Sequence, residues 1–181
     1  QFSSFYMPGD FVSHVRMMKT DYEDTGLAQL FGMPFVVLRK PVPFDTTTLN
    51  FNWQVWDTKA FSLYSRSTEK IDKKGADMAI AAVCRFLSRM NVLNYNVYGG
   101  YESTVLIEEE LVSLRSTASG LYIPHVKSFD SVERGQVLAD IIDPLTGVTV
   151  AQTEAPEDGI VFFAKDSPLV MENETLFKIV N

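Results

Sequence analysis

The chain contains a single cysteine, Cys84, among its 181 residues, so it cannot form an intramolecular disulfide. This usage fits a reducing compartment, and we expect a cytoplasmic protein. Cys84 lies among apolar residues of a predicted helix, where we expect a buried, inert thiol rather than a nucleophile. No apolar run approaches the ~20 residues of a membrane span. Residues 1–11 lack the charged and apolar segments of a secretory signal, so no membrane partner is expected.

Basic residues are also scarce: 16 Lys and Arg face 23 Asp and Glu, which gives a net charge of -7. No basic stripe is available to neutralise phosphates, which argues against a nucleic-acid partner. The two histidines, His14 and His125, have no second ligand at helical spacing, so a structural or exposed role is favoured for both. No Walker loop, nucleophile elbow or G-x-G-x-x-G motif is present. The chain does not begin with Met, and we expect a processed product or a piece of a longer protein.

The composition is that of a globular protein, with 46% apolar and 22% charged residues. The last third of the chain consists of two similar halves, which begin at Gly120 and at Gly159. Each half reads as a short strand, a polar turn and a strand whose Leu and Ile face one side. This layout resembles the barrel-sandwich hybrid, a small β fold shared with biotinyl and lipoyl carriers.

A carrier function is disfavoured by the turn between the halves. Carriers place the modified lysine at the tip of that hairpin, and here the tip is 143–147, which contains no lysine. Lys165 lies on a turn of the second half, but with the wrong local spacing.

The first half of the chain alternates predicted helices and strands, which indicates βαβ units. Residues 1–19 have no clean periodicity and are expected to be irregular. The predicted elements are a helix over 21–31, a doubly buried strand over 35–38, a helix from Leu49, a strand over 60–64 and a helix over 72–90. Near Leu49 the alternation of Phe51, Trp53 and Val55 also suits a strand, but Thr46–Thr48 favours a helix N-cap.

The helix over 72–90 is the clearest element. Its apolar residues recur at spacings of three and four: Ala76, Ile80, Val83, Cys84, Leu87 and Met90. Two predicted strands are too few for a free-standing sheet of the usual ~4–6 strands, so we expect further strands upstream. Residues 94–101 read as a linker. We therefore predict an α/β domain over 1–98 and an all-β domain over 104–181.

A candidate site follows the strand over 60–64. Tyr64 or Glu69 could act as a general acid or base, and Arg66 could hold a carboxylate. Sites of α/β folds lie at the carboxyl ends of strands, which supports this location. On the residues alone, however, a solvated loop is the better interpretation.

Three stretches together carry a resemblance to a known family: 26–34, 60–93, and 114–161 with its Leu114-Arg115-Ser116 and Asp143–Gly147 segments. In this order they resemble the succinylglutamate desuccinylase/aspartoacylase family, zinc hydrolases related to carboxypeptidase A. The resemblance extends from about Met17 to Val180. It implies a partial zinc-carboxypeptidase-like α/β domain followed by a barrel-sandwich hybrid β domain, the C-terminal portion of such an enzyme.

The implied activity is hydrolysis of an N-acyl amino acid or a similar small amide. In the family, zinc held by two His and one Glu activates water, and a separate Glu moves the proton. This chain has neither the His-x-x-Glu motif nor the later Asp-Leu-His-like motif, so no zinc is expected to bind through ligands within it. The ligands are expected upstream, and the missing N-terminal part of the catalytic domain becomes the expected partner.

The resemblance also implies roles for particular residues. Tyr64 stands where the family has its catalytic Glu, and a phenol that keeps its proton at neutral pH is a poor general base. Glu69 would reach the site only if the loop folds back, while Arg66 and Arg115 are the implied substrate-binding residues. Whether the chain is part of an active enzyme stays open, and the alternative is a non-catalytic ligand-binding or assembly module. The incomplete sheet predicts an exposed edge and an apolar face, hence a homo-oligomer or pairing with the missing part.

Overall fold

The structure is a computed structural model that describes residues 7–68, 70–96 and 98–181. It divides into two compact units. The α/β unit comprises Ser13–Arg66 and Asp72–Glu110. The β unit comprises Leu111–Asn181 with the described residues of Gln1–Val12 and Ser67–Ile71. The division is therefore discontinuous in sequence, unlike the predicted domains 1–98 and 104–181.

The helices and strands follow one another along the chain in a fixed order. They are β1 (Asp10–Phe11), β2 (His14–Met18), α1 (Thr25–Gln29), β3 (Phe35–Arg39), α2 (Leu49–Val55), β4 (Ser62–Tyr64), α3 (Lys73–Arg89), β5 (Thr104–Ile107), β6 (Val112–Arg115), β7 (Gly120–Pro124), β8 (Ser131–Val132), β9 (Val137–Ile142), β10 (Thr149–Glu154), β11 (Gly159–Ala164), β12 (Leu169–Val170) and β13 (Thr175–Val180). Short 3-10 turns cover Pro43–Thr47 and Glu108–Glu110.

The α/β unit is built on a four-stranded sheet in the order β4-β2-β3-β5. Strands β2, β3 and β5 are parallel, and β4 runs antiparallel to β2. Alternate residues of β2 and β3 face one side of the sheet, where they pack with residues of α1 and α3. This core contains Val15, Met17, Ala28, Phe31, Met33, Val36, Leu38 and Ala82. The opposite face of the sheet carries the polar side chains of β2.

Two strands of this sheet differ from the sequence prediction. All five residues of β2 are buried, so the expectation of irregular structure over 1–19 was wrong there. The polar and apolar alternation of β2 covers only four residues, 14–17, and the Met-rich surroundings obscured it. Strand β5 pairs in parallel with β3, so Thr104–Ile107 belongs to the α/β sheet and not to the β unit.

The predicted helices are present with small changes in length. Helix α2 begins after Thr48, whose hydroxyl accepts a hydrogen bond from the backbone N–H of Phe51, so helix rather than strand is confirmed. Helix α3 spans Lys73–Arg89 between Asp72 and Met90, close to the predicted 72–90. Helix α1 is shorter than predicted and is capped by the carboxylate of Asp24, which accepts from Leu27 N at 2.9 Å.

The buried side of α3 is not the side that the sequence marks as apolar. Its buried residues are Gly75, Ala82 and Arg85. Arg85 donates to the carbonyls of Phe31 and Gly32, just beyond the end of α1. The guanidinium thus satisfies two buried carbonyls of the loop that follows α1. Cys84 is a free thiol and only half-buried.

The β unit contains the two similar halves that the sequence predicts. In the first half β7 pairs with β9, and in the second β11 pairs with β13, both antiparallel. The halves also exchange their short strands, because β8 pairs with β11 and β12 pairs with β7. The core contains Tyr122, Val132, Leu138, Ala139, Ile141, Ala155, Val161, Ala164, Val170, Leu176, Phe177 and Ile179.

Glycine is required at the first position of both halves for the same structural reason. A Cβ on Gly120 would lie 2.5 Å from the carbonyl oxygen of Ile142. A Cβ on Gly159 would lie 2.5 Å from the carbonyl oxygen of Val180. Each first strand thus approaches the end of its partner so closely that only glycine fits.

In the part of the chain that the structure describes, no helix is both long and apolar enough to cross a membrane.

Candidate functional site

The predicted residue Tyr64 lies on the edge strand β4, directly opposite His14 of β2. The two rings stack with centroids 5.0 Å apart and planes inclined by 5°. Two residues along β2, the guanidinium carbon of Arg16 lies 5.0 Å from the centre of the Tyr64 ring. A phenol, an imidazole and a guanidinium are therefore gathered on one face of the α/β sheet.

The side chains of this cluster are more deeply buried than polar side chains usually are. His14 is 0% exposed and Arg16 is 7% exposed, while Tyr64 is half-buried. A buried guanidinium over an aromatic face gains cation–π energy, worth more when water is excluded. The cluster places the positive charge of Arg16 against the face of the Tyr64 ring. Chemically, such an arrangement suits recognition of a carboxylate or of a carbonyl oxygen.

The edge on which the cluster lies differs from the expectation. The carboxyl-end rule applies to parallel strands, and β4 is antiparallel to β2. Tyr64 ends β4 but lies beside His14, the first residue of β2. The site candidate is therefore at the amino-terminal edge of the parallel strands, and the rule lends it no support.

The other predicted site residues are distributed over both units. Arg66 is half-buried and follows Tyr64 by two residues within the α/β unit. Glu69 lies outside the described residues. Arg115 is an exposed residue of β6 in the β unit, where its guanidinium donates to the carbonyl of Asn173 at 3.0 Å. Tyr64 and Arg66 thus share a unit, and Arg115 belongs to the other.

Sequence reasoning missed His14 and Arg16 as site residues, although His14 was considered as a lone metal ligand. The signal that would have found them is the pattern His14-Val15-Arg16-Met17. Its polar residues alternate with apolar ones at the strand period of two. The Met-rich surroundings obscured that alternation.

A second polar cluster lies in the β unit, around the other histidine. His125 Nε2 is 2.8 Å from an oxygen of Asp140, and Gln152 donates to the other oxygen at 2.8 Å. These bonds, that from Gln152 first, lower the pKa of Asp140 below its ordinary value. The cluster is exposed and ties together β9, β10 and the end of β7, which indicates a structural role for His125.

The lysine considered for a carrier role is held in a structural pair. The ammonium of Lys165 lies 2.5 Å from an oxygen of Glu174, and its side chain is only 9% exposed. This position does not suit a swinging arm.

The residues present do not fit a metal centre. Within 7–68, 70–96 and 98–181, no group of three or more His, Cys, Asp or Glu residues is placed to hold a metal ion. We therefore assign no chemical step to a metal bound by this chain.

The sequence matches no protein-family model and no curated protein. Its structure, however, is similar to several solved structures. The product-bound ectoine utilization protein EutE (DoeB) from Ruegeria pomeroyi superposes with a TM-score of 0.76 at 13% identity, over 95% of this chain and 54% of its own. A succinylglutamate desuccinylase/aspartoacylase from Rhodobacter sphaeroides gives 0.74 at 15% identity, over 95% and 54%.

A succinylglutamate desuccinylase from Silicibacter sp. TM1040 gives a TM-score of 0.72 at 14% identity, over 96% of this chain and 55% of its own. The chain thus spans about half the length of the structures it matches. Identities this low establish the fold and leave activity to be argued separately. The fold of this chain is similar to that of the C-terminal portion of succinylglutamate desuccinylase/aspartoacylase proteins.

Proposed function

We propose that this chain is the C-terminal portion of a hydrolase that cleaves the amide of an N-acyl amino acid or a similar small substrate. The observation that carries the proposal is the superposition of 95% of the chain on several proteins of one deacylase class. On this proposal the α/β unit is part of a zinc-carboxypeptidase-like domain, and the location is cytoplasmic. The β unit is a barrel-sandwich hybrid, which the exchange of short strands between its halves supports.

The proposed activity uses a metal ion, but its ligands are not among the described residues of this chain. Enzymes of this class use zinc to activate water and polarise the acyl carbonyl. Because the described residues do not fit a zinc site, the ligands would come from the half of the relatives' length that this chain does not match. That half would also be the chain's first partner.

Within the chain, we assign substrate recognition to the cluster around Tyr64. The guanidinium of Arg16 would attract the carboxylate of an N-acyl amino acid, and the Tyr64 hydroxyl would donate a hydrogen bond to it. Arg66 is a further candidate for this carboxylate. The stack of Tyr64 on His14 would hold the phenol in a single orientation. Arg115 and Glu69 remain candidates for contacts with the substrate.

The test uses the longest reading frame that encodes this chain, purified with zinc and assayed for release of amino acid from N-acetyl and N-succinyl amino acids. Tyr64→Phe should lower kcat/KM about 10-fold, chiefly through a higher KM, because it removes one hydrogen bond of ~1.4 kcal/mol to the bound carboxylate. Thr149→Val, an exposed change in the β unit, serves as the matched hydroxyl control and should leave turnover unchanged. Absence of hydrolysis across the panel, with zinc bound, would contradict the enzymatic proposal.

The second candidate is a non-catalytic ligand-binding or assembly module on the same fold. It is favoured by one observation: the Tyr64 ring is stacked on a buried histidine and covered by a buried arginine, as in a structural core. Calorimetric binding of N-acyl amino acids without turnover would support this candidate. Hydrolysis that depends on the Tyr64 hydroxyl would exclude it.

A further inference from the structure

The amino-terminal turn of helix α2 is fastened beside Arg16, on the polar face of the α/β sheet. Asn50 Nδ2 of α2 donates to Ser62 Oγ at 2.7 Å. Ser62 lies directly opposite Arg16 in the pairing of β4 with β2, and the side chains of such a pair project on the same face. Further along α2, the amide of Gln54 bonds to the N–H and C=O of Met18, at the edge of β2 beyond its last pairing with β4. Helix α2 is thus attached at two points, one over the polar face and one at the sheet edge.

Arg16 is closed to a substrate in this structure. Its exposed fraction is 7%, and that of His14 on the same face is 0%. A carboxylate that pairs with a guanidinium needs direct contact with its N–H groups. An element beside Arg16 therefore has to move before a carboxylate binds there.

Helix α2 is the weakly held element at this position. It has seven residues, and helices this short are not stable by themselves in water. Its buried residue is Gln54, and none of its residues is among the described members of the apolar core. Polar bonds rather than apolar burial hold the helix in place, which is typical of segments that open locally.

The side chain of Asn50 is only half satisfied in the position that the structure shows, which we call closed. Its Oδ1 is buried and accepts no hydrogen bond from the residues that the structure describes. A buried carbonyl oxygen without a donor costs more free energy than a typical hydrogen bond gains. Moving Asn50 into water gives this oxygen a donor, so the closed position is only weakly preferred.

Firm contacts limit the movable segment at both ends. Before α2, the carboxylate of Asp45 is buried and pairs with Arg39 at 3.5 Å. After α2, Ala60 is buried, and Asp57 ahead of it has a positive φ of 56°. The segment between these anchors is 46–59.

We propose that 46–59 is a lid over Arg16. The bond between Asn50 and Ser62 is its latch, and Gln54, which keeps three hydrogen bonds, is its hinge. The ligand that the lid admits is the carboxylate of an N-acyl amino acid, and in this respect the inference rests on the proposed function. Since the closed lid excludes the carboxylate, the measured affinity is the intrinsic affinity reduced by the fraction of molecules whose lid is open.

The first experiment measures access to Arg16 without any ligand. Phenylglyoxal, which reacts with arginine side chains, is applied to the protein from the longest reading frame that encodes this chain, and peptide mapping gives the rate at each arginine. Ser62→Ala removes the latch acceptor and leaves the whole Asn50 amide unpaired in the closed position, so Arg16 should react about 10-fold faster. Arg115, exposed in the β unit, is the internal reference, and its rate should not change.

The matched control is Ser65→Ala. It removes the same hydroxyl from a half-buried serine that follows β4, and it should change the rate at Arg16 by less than about 2-fold. Circular dichroism verifies that both variants fold.

Faster reaction of Arg16 in Ser62→Ala alone, with Arg115 unchanged, supports the lid. Three outcomes overturn it. The first is an unchanged rate at Arg16 in Ser62→Ala. The second is equal acceleration in both serine variants, which would show a general loosening of β4. The third is a parent protein in which Arg16 reacts as fast as Arg115 and is therefore not covered.

The second experiment separates the lid from the proposed function. Calorimetry measures the dissociation constants of N-acetyl and N-succinyl amino acids for the parent protein and Ser62→Ala. A lid that excludes the ligand predicts about 10-fold tighter binding in the variant, whereas a merely structural role of Ser62 predicts weaker binding. Unchanged or weaker binding would overturn the lid. Absence of binding in both proteins, together with faster labelling of Arg16 in Ser62→Ala, would contradict the proposed function and still support the lid.

Discussion

The imidazole of His14 and the phenol of Tyr64 stack across β2 and β4, with their ring centroids 5.0 Å apart. His14 is fully buried, and β4 is only three residues long. A strand this short at the edge of a sheet has few backbone hydrogen bonds to retain it. The stacked rings therefore fasten β4 to the centre of the sheet, in addition to any role of the phenol in recognition.

Removing the ring should therefore affect stability more than removing the hydroxyl. Tyr64→Ala should lower the free energy of unfolding by about 2 kcal/mol, since a half-buried aromatic side chain is lost. Tyr64→Phe keeps the stack and should lower it by no more than about 1 kcal/mol. Urea unfolding followed by circular dichroism measures both. Equal losses in the two variants would assign the stabilisation to the hydroxyl.

Gln54 provides a second test, because its amide is fully buried and bonded to the last residue of β2. Its oxygen accepts from Met18 N at 3.2 Å, and its nitrogen donates to Met18 O and to the Thr20 hydroxyl. Gln54→Leu leaves buried backbone groups without partners and should cost about 2–4 kcal/mol. Asn52→Leu, on the exposed side of the same helix, should cost less than about 1 kcal/mol. Similar losses would mean that water replaces the amide of Gln54.

Gly99 and Gly100 form a matched pair, since both have positive φ angles, 81° and 108°. A Cβ on Gly100 would lie 2.7 Å from Nε of Arg85, while nothing lies within 4 Å of a Cβ on Gly99. Both alanine variants should lose about 1 kcal/mol to backbone strain. Gly100→Ala should lose about 1–3 kcal/mol more, because it displaces a guanidinium that binds the carbonyls after α1. Thermal unfolding of the two variants tests the difference, and equal midpoints would contradict it.

The pair Lys165–Glu174 predicts a pH dependence. The hydrogen bond from Lys165, followed by that from Met171 N, lowers the pKa of Glu174 from its ordinary 4.5. A lowered pKa in the folded state means that the pair stabilises the protein above about pH 4.5 and that this is lost as the pH falls through the folded value. The parent should therefore lose stability between about pH 5 and 3 more steeply than Glu174→Gln.

The control for this prediction is Glu172→Gln, an exposed carboxylate two residues away. Its urea midpoints should follow the parent curve over the same pH range. Because Glu174 is 40% exposed on its side chain, the effect should be modest, up to about 1 kcal/mol. Parallel pH profiles for the parent and Glu174→Gln would contradict the prediction.

Much of the fold could be predicted wherever a local sequence pattern has a single structural explanation. The continuous apolar run of β3 and the N-cap of α2 were confirmed because strand burial and helix capping are local effects. Strand β2 was missed, and β5 was predicted as β structure but assigned to the β domain. The reason is that the pairing partners of both strands are distant in sequence, and each is specified by the strand beside it. The candidate site was half predicted for the same reason. Tyr64 was identified, but His14 and Arg16 join it only through the register of two strands.

The sequence by itself determined the elements that depend on neighbouring residues. Among them are the two halves of the β unit that begin with glycine and the extent of α3, since repeat spacing requires no distant contact. Only the tertiary structure decided which side of α3 is buried. The sequence marks Ile80 and Val83 as an apolar face, yet the sheet takes up Ala82 and Arg85 instead. Periodicity predicts which apolar residues lie on the same face of a helix. Whether that face is buried depends on which other elements the fold packs against it.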